Sequence, residues 1–171
     1  MLEQNPVQIY WSLLNHKNWK MYIAATSKGL CYVGSQNQPF EELAEWSAKH
    51  LPGTPLVEEH QKLKPFATEI IDYLDGKRKS FTIPFDCHGT EFQTAVWNAL
   101  CEIPYGETKS YSDIANSINR PSAVRAVGTA IGANPVLITI PCHRVVGKNG
   151  KLTGYRGGLE MKQQLLEIEK S

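Results

Sequence analysis

Ser110-Tyr111-Ser112-Asp113-Ile114-Ala115-Asn116-Ser117-Ile118-Asn119-Arg120-Pro121, continuing as Ser122-Ala123-Val124-Arg125-Ala126-Val127-Gly128-Thr129-Ala130-Ile131-Gly132-Ala133, decides how the second half of this chain folds. Ser110 accepts hydrogen bonds from the free N–H groups of a helix start, and Asp113 stands at the third helical position to reach back. That pair predicts a capping box and a helix from Tyr111 to Ile118. Asn119-Arg120-Pro121 interrupts it, since a residue before proline is pushed out of the helical region. Ser122 to Ala133 predict a second helix, and two short helices across a tight turn form a helix-turn-helix pattern. Many helical hairpins bind nothing, so the composition of the second helix carries more weight. Ala123, Ala126, Gly128, Thr129, Ala130, Gly132 and Ala133 make it slim, with Arg125 its only charge. A major-groove reader presents several long polar side chains to base edges. A slim helix instead suits close approach to a narrow groove, with little sequence discrimination; tight helix packing explains part of the same pattern.

Outward from this unit, Thr90 is a cap for a helix carrying Phe92, Val96, Trp97 and Leu100 at core spacing, ended by Pro104-Tyr105-Gly106. Downstream, Val136-Leu137-Ile138-Thr139-Ile140 reads as a strand that delivers Pro141-Cys142-His143-Arg144-Val145-Val146. A thiol, an imidazole and a guanidinium thus follow one another. Neighbours of this kind lower a cysteine pKa from its usual value of about 8.5, and a thiolate beside a base is the core of a covalent mechanism. Adjacent residues of an extended chain point to opposite faces. Cys142 and His143 are therefore expected to communicate through a bridging water. A helix begun by Gly158 and anchored by Met161, Leu165, Leu166 and Ile168 brings Glu169 late in the chain, where it is either a partner for His143 or a solvated terminal glutamate.

The first half reads as strands at Val7–Trp11, Met21–Ala25 and Leu30–Val33, the last entered through Lys28-Gly29. Pro39 opens a helix through Trp46, and Pro65 opens another through Leu74, stopped by Asp75-Gly76. Phe81-Thr82-Ile83-Pro84 is expected to be a last strand, with a boundary near residues 84–89. This gives an α+β chain: a support domain over residues 1–84, and a domain over residues 85–171 with the helix-turn-helix and the cysteine.

The chain has 171 residues, 42% of them hydrophobic, and no apolar run long enough to span a membrane. Its start, Met1-Leu2-Glu3-Gln4-Asn5-Pro6, lacks a leader pattern, so a soluble, unexported, cytoplasmic protein is expected. Cys31, Cys87, Cys101 and Cys142 form no CxxC pair and are expected as free thiols. Zinc through Cys31, Cys87 and His88 lacks the usual ligand spacing, so no metal is expected. Net charge is only +1, but it is unevenly spread. Residues 1–103 hold nine Lys/Arg against twelve Asp/Glu, whereas residues 104–156 hold seven against two. The basic excess surrounds the thiol, where it attracts a polyanion.

The hexapeptide, framed by Ala133-Asn134-Pro135 and Gly154-Tyr155-Arg156-Gly157-Gly158-Leu159, resembles the active-site region of the O6-alkylguanine-DNA alkyltransferases, most of all their bacterial stand-alone form. The resemblance runs from about Phe92 to Glu169 and more weakly through the first half. It implies a ribonuclease-H-like antiparallel sheet domain with helices followed by a mainly helical domain. It also implies a suicide repair protein, without cofactor, that moves an alkyl group from O6 of guanine, and also O4 of thymine, to its own cysteine. Cys142 then matches the acceptor, His143 the base acting through water, and Glu169 the carboxylate that orients it. Asn134 matches the hinge bracing the site. Tyr111 matches the residue that presses on the target phosphate and bonds the flipped base. Arg125 matches the finger filling the vacated stack, and Arg144 a structural part of the motif. Ala123, Ala126, Gly128 and Thr129 fall on the expected DNA face, and Ile131, Val145, Tyr155 and Arg156 on the expected substrate pocket. The implied partner is double-stranded DNA, bound by a monomer through the minor groove.

Three positions depart from the family pattern: Gly132 where some relatives carry arginine, Gln164 where a tryptophan often packs, and Arg156 where smaller residues also occur. Other readings are a turnover cysteine hydrolase, a lesion-sensing module without chemistry, and a self-methylating regulator. The hydrolase leaves the slim helix unexplained. Cys142 argues against the sensor, and 171 residues leave no room for a regulator's extra domain.

Overall fold

Apolar residues alternating with half-buried ones build β1 (Ile9–His16) and β2 (Trp19–Thr26), an antiparallel pair in register from Tyr10–Ala25 to His16–Trp19. The computed structural model describes residues 6–170; the Met1–Asn5 start that was read for a leader lies outside them. The first strand begins two residues later than its sequence suggests and runs five further, leaving Val7 exposed before it. β3 (Gly29–Val33) joins β2 antiparallel with a bulge at Ala24/Ala25. The helix α1 (Phe40–His50) then crosses over to β4 (Leu56–Glu58), which lies parallel to β1. The sheet order is β3-β2-β1-β4.

The sheet is therefore mixed, not purely antiparallel. β4 escapes the sequence reading because three residues, two half-buried and one exposed, carry no alternation. The strand expected at Phe81–Pro84 does not form. Thr82 is held instead by the Glu69 carboxylate, which accepts from its amide at 2.8 Å and its hydroxyl at 2.5 Å. Glu69 lies on α2 (His60–Leu74), a helix that starts five residues before Pro65 and carries that proline inside.

Past Ile83 the chain returns to the sheet edge. Leu30 donates its amide to Pro84 at 2.9 Å, and Asp86 donates to Leu30 at 2.9 Å. Gly29 permits this approach: it has φ of 150°, and a Cβ there would sit 2.5 Å from the Pro84 carbonyl oxygen. Further along the same edge, Val33 donates to the Pro135 carbonyl at 2.9 Å. The sheet thus pins the loop that leads to Cys142.

The C-terminal half follows the sequence closely. Thr90 and Gln93 form a capping box on α3 (Glu91–Cys101), and Ser110 and Asp113 form another on α4 (Tyr111–Ser117). A two-residue strand β5 (Lys109–Ser110) precedes α4, and α5 (Val124–Gly132) follows the turn. Trp97 ties α3 to α5 by donating its indole N–H to the Ala130 carbonyl at 2.9 Å. The strand expected at Val136–Ile140 is a succession of turns, and Cys142–Arg144 form a single 3-10 turn. β6 (Val145–Val146) pairs parallel with β5, and α6 (Leu159–Lys170) closes the chain. One buried cluster runs from Leu14 and Met21 through Tyr73 to Val136, Cys142 and Leu165, across both halves. No helix among the described residues is long and apolar enough to cross a membrane.

Candidate active site

Asn134 shapes the approach to the thiol. Fully buried, it accepts the Val136 amide on Oδ1 at 2.9 Å and donates Nδ2 to the Ile140 carbonyl at 3.1 Å. The apolar run touches the sheet only through the parallel bridge of Val136 with Val33, and the Asn134 side chain bonds the backbone at its two ends as it turns. Ile138 sits at φ of 70°, with the Thr139 amide bonded back to Leu137 at 2.7 Å. Left-handed backbone at a β-branched residue is strained, and strain of this kind gathers at functional loops. The Cys142 amide bonds back to Ile140 at 2.7 Å, and the Arg144 amide to Pro141 at 3.0 Å. The motif is coiled where an extended segment was expected.

His143 is fully buried. Its Nε2 lies 2.7 Å from Oε2 of Glu169. The same carboxylate accepts Arg144 Nε at 2.9 Å, Arg144 Nη2 at 3.1 Å, the Gly106 amide at 3.1 Å and the Tyr73 hydroxyl. With Nε2 donating to Glu169, Nδ1 is the basic nitrogen, and it is buried without a hydrogen-bonding partner among the described residues. An unsatisfied buried acceptor of this kind is a station for a water or a proton.

Burial opposes the charge on Glu169, but His143, Arg144 and Tyr73 outweigh it and hold the carboxyl at about 2. His143 moves down from 6.5: burial and the Arg144 charge outweigh Glu169, so the imidazole rests neutral. Cys142 moves up, because burial outweighs the Asn134, Arg156 and Lys162 groups that favour its thiolate. The sequence reading expected its neighbours to lower the thiol; burial outweighs them, which favours a protonated thiol beside a neutral imidazole.

The thiol closes the floor of a cavity of about 590 Å³. Tyr111, Gly128, Ile131 and Gly132 form one wall, and Gly147, Thr153, Gly154, Tyr155 and Arg156 the other. Tyr111 packs on Gly128, where an added Cβ would lie 3.7 Å from its ring, and its hydroxyl is 3.0 Å from Thr153 Oγ1. The Tyr155 hydroxyl is buried here without a partner among the described residues. Val145, expected in the pocket, does not line it; it is fully buried in β6. Arg156 does line it, but its guanidinium also donates to the carbonyls of Asn134, Val33 and Pro135 at 3.2, 2.8 and 3.1 Å. It is a tie between the cavity wall and the sheet. Arg125, Ala126 and Thr129 stand exposed on the outer face of α5. With Ala123 they line a second groove, of about 640 Å³, against Thr90, Phe92 and Gln93. Cys31, Cys87 and His88 make no metal cluster; among the described residues no group of three or more suitable ligands gathers.

The family model of the 6-O-methylguanine DNA methyltransferase ribonuclease-like domain matches residues 9–87, and that of its DNA-binding domain matches residues 91–171. The chain is 68% identical over 99% of its length to the inducible methylated-DNA–protein-cysteine methyltransferase of Bacillus subtilis, covering 94% of that protein. The chain belongs to the 6-O-methylguanine DNA methyltransferase family. A methylated-DNA–protein-cysteine methyltransferase of Methanosarcina barkeri is 39% identical, over 95% of this chain and 98% of the relative. The crystal structure of Mycobacterium tuberculosis OGT in complex with DNA matches with a TM-score of 0.81 at 37% identity, covering 94% of this chain and 92% of that one. This methyltransferase thus has the two-domain α+β fold of its family and, through its DNA-binding domain, binds DNA.

Two buried polar residues at the methyltransferase site escaped the sequence reading. Lys162 of α6 is 1% exposed and donates Nζ to the carbonyls of Val145 at 2.6 Å and Thr153 at 2.8 Å. Its spacing to Leu165 and Glu169 places all three on one helix stripe, a signal that was legible. Tyr73 meets Glu169 across 96 residues of chain, and no local pattern announces it.

The charged carboxylate makes a pH prediction. Its folded pKa of about 2 lies below the ordinary 4.5, so its contribution to stability is complete above pH 4.5 and is lost as pH falls through 2. Glu169→Gln is expected to flatten the acid limb of stability in that window. It should also cost about 3–5 kcal/mol near neutral pH, since Arg144 loses its buried partner. Urea unfolding as a function of pH measures both; an unchanged acid limb would show that Glu169 carries no such linkage.

Proposed function

We propose that the protein repairs alkylated DNA by flipping O6-alkylguanine, and also O4-alkylthymine, into the Cys142 cavity and transferring the alkyl group to Cys142. Alkyl transfer to its own cysteine is the activity of the family to which the chain belongs. The observation that carries the residue assignment is a buried thiol on the floor of a cavity, next to a neutral histidine with a free ring nitrogen backed by a carboxylate.

The reaction follows from these groups. A proton leaves the Cys142 thiol through a water for Nδ1 of His143, and Glu169 stabilises the imidazolium that forms. The sulfur attacks the saturated carbon, the carbon–sulfur bond forms and the carbon–O6 bond breaks. The electron pair stays on the base, which takes up one proton from water, while the His143 imidazolium returns its proton to water, so that no net proton is gained or lost. Tyr111 donates its hydroxyl to ring nitrogen N3, offsetting charge there. A thioether is a poor leaving group and no second nucleophile stands by among the described residues, so one molecule acts once. The base is hidden in the duplex until extruded, at a cost of a few kcal/mol. Arg125 offsets that cost by filling the gap. The slim surface of α5, with Ala126 and Thr129 exposed and Ala123 and Gly128 half-buried, enters the minor groove and reads little sequence. The active unit is a cytoplasmic monomer, with residues 1–84 supporting residues 85–171.

Incubation with a duplex bearing O6-methylguanine should add one methyl mass per molecule, on the peptide containing Cys142. More than one product per protein would overturn the single-use reading and favour a turnover enzyme.

A further inference from the structure

Tyr73 is the only side chain from the first half of the chain that bonds the His143–Glu169 pair among the described residues. It lies near the end of α2, is 0% exposed, and packs its ring 5.5 Å from Phe81 and 6.1 Å from Tyr105. Its hydroxyl donates to Glu169 Oε2, the oxygen that receives His143, and its oxygen is 3.3 Å from His143 Nε2. The hydroxyl therefore touches both members of the pair at the point where they meet.

The need for such a contact is local. Glu169 is the penultimate residue of α6, and terminal helical turns fray. A carboxylate on a fraying end keeps its place only if tertiary contacts hold it. Arg144 binds both of its oxygens and Gly106 binds Oε1, but neither contacts the imidazole nitrogen. The other titratable or charged groups acting on the pair are Lys162 of α6 and Tyr105, and Lys162 also acts on Cys142. Burial, and next the Glu169 charge, push the Tyr73 phenol far above its usual value, so it stays a neutral donor throughout the working range.

We infer that Tyr73 is a positioning residue for alkyl transfer: its hydroxyl keeps Glu169 Oε2 on the Nε2–H of His143, which reserves Nδ1 as the base for Cys142. The inference rests on the reading of Cys142 as the acceptor. It gives the first half of the chain a part in the chemistry beyond support.

Tyr73→Phe removes only the hydroxyl and keeps the ring in the core. In the full chain, transfer from an O6-methylguanine duplex to Cys142 is followed across pH, with thermal unfolding measured alongside. Transfer should slow about tenfold near neutral pH, the scale of one hydrogen bond to a charged group. It should recover as pH rises, because the thiol then ionises without the relay. Added to Glu169→Gln, the same change should cost nothing further, since both act through one pair. A loss by the same factor at every pH, no loss at all, or additive losses in the double variant would each overturn the role. Nitrogen NMR of labelled histidine gives a readout independent of rate: wild type should hold the Nε2–H tautomer of His143 and Tyr73→Phe a mixture. An unchanged tautomer would overturn the role as well. A wild-type protein that takes no methyl on Cys142 would fail earlier, at the functional reading itself.

Discussion

Cys142→Ser should abolish alkyl transfer, by at least about 10⁴-fold, the scale on which loss of a covalent nucleophile acts. The hydroxyl fits the space of the thiol, so the fold, the cavity and duplex binding should be unchanged. What is lost is ionisation: His143 can take a thiol proton, but an alcohol is far too weak an acid to yield an equally nucleophilic anion. The position of Cys142 supports this choice among the four cysteines. Burial raises the thiols of Cys31 and Cys87 as it raises that of Cys142, so position is what differs: Cys142 lines the cavity and neither of the other two does. Cys101 is exposed and lines a different pocket, together with Arg144 and Tyr105. Methyl groups found by peptide mass on Cys31, Cys87 or Cys101, or persisting in the serine variant, would sink the assignment.

Arg125→Ala should cut repair of a lesion in duplex DNA by about 10-fold to 100-fold, equivalent to about 1.4–2.8 kcal/mol of lost stabilisation. The free alkylated base should react at nearly the wild-type rate. The two substrates differ only in extrusion, and a side chain that fills the vacated stack matters only where a stack is vacated. Arg125 is exposed on α5 and does not line the Cys142 cavity, so its removal leaves the chemistry in place. Comparing single-turnover rates on the two substrates is decisive. Equal losses would mean that Arg125 supports the fold or the pocket, and the finger role would have to be dropped.

Much of the second half was legible because its signals are local. Thr90 with Gln93 and Ser110 with Asp113 cap helices three residues away, and the periodicity of Phe92, Val96, Trp97 and Leu100 carries straight into packing. The first half was harder to read. β4 is too short to show a pattern, and Phe81–Ile83 has strand-like residues held by a helix glutamate. Val136–Ile140 was misread for a related reason: its apolar residues are buried, but it touches the sheet only through the bridge of Val136 with Val33, and Asn134 bonds its two ends as it turns.

The sequence by itself determined the α+β class, the helix-turn-helix, the basic surroundings of the thiol and, through the Pro141–Val146 motif in its frame, the family. Those are properties of residue identity and short spacing, which the chain carries in any conformation. The protonation of the site follows instead from packing. A cysteine next to histidine and arginine reads as activated, yet complete burial raises the thiol and leaves the imidazole neutral. Desolvation depends on everything packed around a group, including α2 and the sheet edge, and no local spacing encodes it. The partners of Glu169 likewise come from Tyr73, Gly106 and Arg144, which only the folded chain brings together.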